Sequence, residues 1–164
     1  MAVLCRCFFF FQATATPEIS TLSLLDALPI SRTFWRNEAA AGDFTQIGLP
    51  EFPSRSVQGA TWVDIDLDGF LDLYIGGYET PVYTPDSILR NNGDETFDLY
   101  WISPADAVVS PVQSRPGRGI SVFDYDEDGD MDVYVSNYRL EPNGLWENDG
   151  SGNFIDVAGV RGAT

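Results

Sequence analysis

The chain has 164 residues, with 25 acids against 9 bases, no lysine and no histidine, and a net charge of −16 at pH 7. Such acidity repels nucleic-acid phosphates and anionic membrane surfaces, which argues against either as a partner. The missing histidine removes Ser-His-Asp and Cys-His dyads, zinc sites of the usual histidine type and the commonest general base near neutral pH.

Residues 1–31 read unlike the rest. They hold both cysteines, Cys5 and Cys7, and a phenylalanine run from Phe8 to Phe11. A secretory signal cleaved after Ala13-Thr14-Ala15 fits poorly, because Arg6 interrupts the apolar region and the uninterrupted stretch is shorter than such a segment needs. It is also too short to span a bilayer. Residues 8–12 and 19–32 instead resemble the translated read-through of a sequencing adaptor, a contaminant of assembled environmental reads. Residues 1–31 are therefore read as artefactual and are expected to be disordered. The remainder has no cysteine, so nothing in it reports a redox compartment.

From residue 32 the chain repeats itself. A loose signature, Phe34-Trp-Arg-Asn37 followed by Gly42-Asp-Phe44, marks residues 32–53 as the tail of an incomplete unit. Residues 54–78 then align without a gap with residues 114–138, so that Ser, Arg, Gly, four Asp, Gly and two Tyr coincide while apolar positions interchange. Apolar and polar residues alternate after each acidic loop, over 71–75 and 131–135, and the first full unit is read as strands over 59–63, 71–76, 87–91 and 97–101. The second unit gives 119–123, 131–136, 144–147 and 153–157. Each unit also carries a later signature, Leu89-Arg-Asn-Asn-Gly-Asp-Glu-Thr-Phe97 against Leu145-Trp-Glu-Asn-Asp-Gly-Ser-Gly-Asn-Phe154. Asn92-Gly93 and Asp149-Gly150 are dipeptides that tight hairpins require, since their central residues need positive φ.

Between the first two strands of each unit stands D-x-D-x-D-G-x-x-D, as Asp64-Ile-Asp-Leu-Asp-Gly-Phe-Leu-Asp72 and Asp124-Tyr-Asp-Glu-Asp-Gly-Asp-Met-Asp132. Four carboxylates within nine residues repel one another by several kcal/mol unless a cation sits among them. Hard oxygen ligands suit Ca²⁺, and the glycine permits the sharp turn with which a short loop wraps an ion. Odd positions of a curled loop point inward, so Asp64, Asp66 and Asp68 converge, the carbonyl of Phe70 adds an oxygen and Asp72 closes the shell. Asp124, Asp126, Asp128, the carbonyl of Asp130 and Asp132 match them, giving two Ca²⁺ sites. The Asp130 side chain should point away and add field rather than a ligand. An EF-hand is excluded, because the twelfth loop position, which needs a bidentate Glu, is Ile75 or Val135. A solvated acidic turn without metal is the bland alternative, and the duplication of all four acids weighs against it.

Four short strands per unit of just under sixty residues point to an all-β fold: a partial β-propeller made of four-stranded antiparallel blades with Ca²⁺-binding hairpin loops. Its full blades are residues 54–113 and 114–164, with a β-sandwich or an open solenoid as alternatives. A closed propeller needs roughly four to eight blades, so the chain is expected to be a fragment of a longer protein.

The loop motif, preceded by a G-x-x-x-x-D strand and followed by L-x-x-N-x-G-x-x-F, resembles the FG-GAP or VCBS repeat, the blade unit of integrin-α-like propellers. The ending Phe154-Ile-Asp-Val-Ala-Gly-Val160 is similar to a subgroup that includes cartilage acidic protein and bacterial proteins with ASPIC/UnbV domains. The resemblance runs from about residue 34 to 160. Two departures are a missing glycine in Glu95-Thr96-Phe97 and a shortened D-V-A-G-V, and neither touches a metal position.

Outside the loops, Glu79, Asp86, Asp94, Asp98, Asp106, Glu141 and Asp156 sit at no spacing that makes a carboxylate pair, and they read as solvated turn and edge residues. Trp62, Trp101, Trp146, Tyr74, Tyr78, Tyr134 and Tyr138 offer surfaces on which sugars stack. Aromatic residues of propeller blades pack mostly between sheets, and the recurrence of Tyr74 and Tyr134 at one repeat position suggests a structural role. The expected function is that of a non-catalytic Ca²⁺-binding propeller segment of a secreted or cell-surface bacterial protein, because open carboxylate loops fill at extracellular calcium levels. Residues 50–58 and 103–118 would supply variable surface for a protein or glycan ligand, with no membrane insertion. Alternatives are a carbohydrate-binding lectin of the same fold, or the accessory propeller of a polysaccharide-acting enzyme whose catalytic residues lie outside the chain.

Overall fold

A computed structural model describes residues 7–12, 31–38, 43–53, 57, 59–77, 84–104, 115–138 and 140–164. Cys5, Ala13 to Ala15, Tyr78, Glu79, Asp106 and most of the 103–118 stretch lie outside the described residues. The chain divides into two compact units, Met1–Leu49 and Pro50–Thr164.

The first unit is a three-stranded antiparallel sheet of β1 (Cys7–Gln12), β2 (Ser31–Glu38) and β3 (Asp43–Ile47), in that order. Strand β1 lies inside residues 1–31, the segment whose composition sets it apart from the repeat. An aromatic run has high strand preference, and the open edge of β2 offers it a complete ladder, from Cys7 opposite Arg36 to Gln12 opposite Ser31. In the β2–β3 hairpin Asn37 lies opposite Phe44.

The second unit contains two four-stranded antiparallel meanders. The first is β4 (Ala60–Val63), β5 (Asp72–Ile75), β6 (Ser87–Asn91) and β7 (Phe97–Ile102). The other is β8 (Gly117–Phe123), β9 (Asp132–Asn137), β10 (Gly144–Asn148) and β11 (Phe154–Asp156). Every strand predicted for the two full units is present, with its ends within two residues of expectation. A single helical turn, α1 (Ala158–Arg161), follows β11 and was not foreseen in the chain's pattern. It stops at Gly162, whose φ of 71° is the left-handed cap conformation that favours glycine.

These sheets are propeller-like blades that share one core. Val63, Ile65, Tyr74 and Ile88 of the first pack with Val133, Val135, Trp146 and Phe154 of the second. Trp101 of β7 sits between them, with its ring centroid 5.1 Å from that of Trp146 in an edge-to-face arrangement and 5.2 Å from that of Phe154. Neither sheet buries these rings alone, and each such aromatic pair adds about 0.5–1.5 kcal/mol beyond the area it hides. Gly59 and Gly76 let the sheets approach, since a Cβ on either would lie 3.1 to 3.3 Å from the Ile120 Cδ1 atom.

Alternation in β5 suggests one buried and one solvated face, yet all four of its residues are buried. Tyr74 faces the shared core and Asp72 is held inside by hydrogen bonds, so the polar positions are covered too.

The strand registers also revise the match between the two later signatures. Leu73 pairs with Leu89 and Val133 with Trp146, so the equivalent of Leu89 is Trp146 and not Leu145. Asn91 to Phe97 then superposes on Asn148 to Phe154 without insertion, and each Asn lies opposite its Phe, as Asn37 lies opposite Phe44.

Candidate metal centre

Each acidic motif forms the connection between the first two strands of its blade, β4 to β5 and β8 to β9. The backbone curls because two residues per loop take left-handed conformations: Leu67 at φ 56° and Gly69 at 91°, matched by Glu127 at 62° and Gly129 at 101°. The first aspartate closes the curl, with Asp64 Oδ2 accepting from the Gly69 amide and Asp124 Oδ2 from the Gly129 amide, both at 3.1 Å. The third aspartate caps the next turn, as Asp68 accepts from the Phe70 amide at 2.9 Å and Asp128 from the Asp130 amide at 3.0 Å.

The last aspartate of each loop is fully buried and works as a latch. Asp72 accepts from the Ile65 amide at 3.0 Å and from the Asn91 amide at 2.8 Å. Asp132 does the same with Tyr125 at 3.0 Å and Asn148 at 2.9 Å. Each latch therefore ties the start of its loop to the end of the third strand. Burial pushes the Asp72 carboxyl up to about 6, against the pull of its two amide donors, and burial likewise raises Asp132.

Carboxylate oxygens of Asp64, Asp66 and Asp72 lie within 4.8 Å of one another, as do those of Asp124, Asp126 and Asp128. In the first loop Asp64 Oδ1 and Asp66 Oδ1 are buried and meet no hydrogen-bond donor. Two buried, unpartnered anionic oxygens are costly by themselves and suit a cation. Asp68 lies apart from that group and faces Arg90, while Asp132 is outside the second group. At the seventh loop position both side chains cross to the next hairpin: the Phe70 ring packs on Gly93, and the Asp130 carboxylate lies over Gly150. Asp130 itself is raised by partial burial and by the neighbouring charges of Asp128 and Asp124.

Some functional side chains escape sequence reasoning. Arg90 places Nη2 2.7 Å from Asp66 Oδ2 and 3.3 Å from Asp68 Oδ2, a contact with no local signal because 22 positions separate Arg90 from Asp68. Asp86 is buried rather than solvated. It accepts from the Tyr74 hydroxyl and from the Gly77 amide, both at 2.6 Å, and burial pushes its carboxyl up. Asn143 stands in its place in the second blade, accepting from the Asn137 amide at 2.9 Å. Asp156 is also engaged, with the Arg115 guanidinium at 2.9 Å. Asp94, Asp98 and Glu141 do lie in turns or on edges, with Asp94 and Asp98 exposed. Among the aromatics, Tyr74 and Trp146 are buried, and Tyr138 is exposed with the Arg118 guanidinium 4.5 Å from its ring centroid.

Stacked four-stranded antiparallel blades, each opening on an aspartate-rich hairpin loop, define a β-propeller-type repeat protein. Residues 64–135, from the first acidic loop into β9, match the model of the FG-GAP-like repeat, and that stretch carries the repeat. This is a propeller-forming and non-enzymatic repeat type. No curated protein matches the chain. Among the described residues no helix is long and apolar enough to cross a membrane, which leaves strand-built membrane proteins unaddressed.

Proposed function

We propose that this chain is a non-catalytic, calcium-binding propeller segment of a secreted or cell-surface protein, engaged in adhesion through a protein or glycan ligand. The observation that carries the reading is the pair of buried, donor-free oxygens on Asp64 and Asp66. An ordinary solvated turn would let water or an amide reach them. In this reading Ca²⁺ lies among the convergent carboxylates of Asp64, Asp66 and Asp72 in one loop and of Asp124, Asp126 and Asp128 in the other, and binding draws in Asp68 and Asp132, which stand outside those groups. The carbonyls of Phe70 and Asp130 complete each oxygen shell. The ion relieves the repulsion of each loop and so pins the first hairpin of the blade, a structural task that requires no general base. Carboxylate loops of this openness fill at the calcium levels found outside cells, which supports the extracellular setting.

Thermal unfolding tests it. At free Ca²⁺ about 100 times Kd, each filled loop adds about 2.7 kcal/mol, which raises Tm on the order of 10 °C. A chelator that leaves Tm unchanged would overturn the reading. Asp64→Asn sharpens the test, because the amide oxygen still accepts from Gly69 while the charge is gone. It should raise Tm in chelator and lower it in Ca²⁺, an inversion that a metal-free turn does not give.

A further inference from the structure

We propose that Arg90 is a tethered counter-ion of the first acidic loop, which an incoming metal ion must displace, and that the second loop has an acid at the corresponding place. This inference rests on the calcium reading above and concerns how the two loops differ under it.

Arg90 is the last residue but one of β6, and its guanidinium lies across the first loop. Nη2 is 2.7 Å from Asp66 Oδ2 and 3.3 Å from Asp68 Oδ2, so it takes up carboxylates that the spacing of the loop assigns to the metal. The guanidinium carbon also lies over the Tyr100 ring, 6.0 Å from its centroid. The side chain remains 40% exposed, which leaves it a way out into water. Arg90 thus partly neutralises the loop when metal is scarce, and its departure opposes binding when metal is plentiful.

The second blade reverses the sign. Since Leu89 is matched by Trp146, the residue matching Arg90 is Glu147. Its carboxylate accepts from the Tyr125 hydroxyl and stands 3.5 Å from Arg161 Nη2. The same point of the fold therefore presents a cation to one loop and an anion beside the other. Duplication kept the aspartates and changed the strand residue that faces them, so the two loops should respond differently to calcium.

Calorimetric titration of the full chain with Ca²⁺ decides the matter. With the second loop disabled by Asp126→Asn and Asp128→Asn, Arg90→Gln should tighten the remaining site about three- to tenfold, the range expected from losing two part-exposed ion pairs. With the first loop disabled by Asp64→Asn and Asp66→Asn, the same change should leave the affinity of the second loop as it was. Arg90→Lys, which keeps the charge, should stay near the parent. An Arg90→Gln chain that folds only when Ca²⁺ is present would also support the proposal, because the ion then replaces the guanidinium. The inference is overturned if Arg90→Gln leaves the first site unchanged or weaker, if Arg90→Lys tightens it equally, or if Arg90→Gln is unfolded with and without Ca²⁺. Calcium heat absent from every chain would instead sink the calcium reading itself.

Discussion

The side-chain amide of Asn148 donates a 2.9 Å hydrogen bond to the carbonyl of Ile65, which lies 83 positions earlier in the neighbouring blade. The Ile65 backbone amide in turn donates to Asp72, and the backbone amide of Asn148 donates to Asp132. One chain of hydrogen bonds thus joins the buried latch of the first acidic loop to that of the second. The side-chain Oδ1 of Asn148 accepts from the Gly152 amide at 3.0 Å, so the whole side chain is used inside the protein.

Replacing Asn148 by Ala should therefore cost about 2–3 kcal/mol, because it leaves the Ile65 carbonyl and the Gly152 amide without their partner in a buried place. Asn91 occupies the same position in the first blade, where its side-chain Nδ2 donates to the Leu71 carbonyl at 3.1 Å near solvent. Asn91→Ala should cost about 1 kcal/mol. Urea unfolding of the two variants measures the difference, and equal losses would show that the bond between blades contributes nothing.

Asp86 makes stability depend on pH in a direction opposite to that of most carboxylates. Its carboxyl is raised above the ordinary 3.8 by burial, so the folded state holds the proton more tightly than the unfolded state. The stability it contributes is complete below that ordinary value and is lost as pH rises through the raised one. Asp86→Asn imitates Asn143 and keeps an acceptor for the Gly77 amide. The variant should melt above the parent at pH 8, with the gap closing as pH falls toward 4. Melting curves across that range check it, and a gap that does not vary with pH would count against the buried charge.

Glu95 holds φ at 74° where its counterpart Gly152 has 77°. A left-handed conformation costs a residue with a Cβ about 1–2 kcal/mol, partly offset by the smaller entropy its unfolded chain has compared with glycine. Glu95→Gly should stabilise the protein by about 0.5 kcal/mol. Gly152→Ala should destabilise it by about 1–3 kcal/mol, since the new Cβ would meet Tyr100 Oη at 2.6 Å. Denaturant midpoints distinguish the two changes by sign.

The blades were readable because their signals are short in range. Alternation in 71–76 and 131–136, the Asn92-Gly93 and Asp149-Gly150 turns, and the glycine-turned acidic loops each concern neighbours along the chain. The match of Leu89 to Leu145 went astray for the converse reason: identity of one side chain outweighed a register that only the pairing of β9 with β10 establishes. The strand at Cys7–Gln12 lies in a segment of foreign composition, where an aromatic run pairs readily with an open edge. Asp86 resembled any turn acid until Tyr74 and Gly77 were brought to it.

From its own residues the chain determined two duplicated acidic turns, the strands on either side of them, and hence the kind of blade that is built, since turn chemistry and alternation are matters of a few adjacent residues. Tertiary structure alone decided which carboxylates are latches and which face one another. It also decided that Arg90 reaches one loop while Glu147 stands beside the other, and that Trp101 fills the space between the sheets. Those outcomes depend on groups far apart in sequence meeting in a buried place, where the loss of water sets the energy of every charge and hydrogen bond.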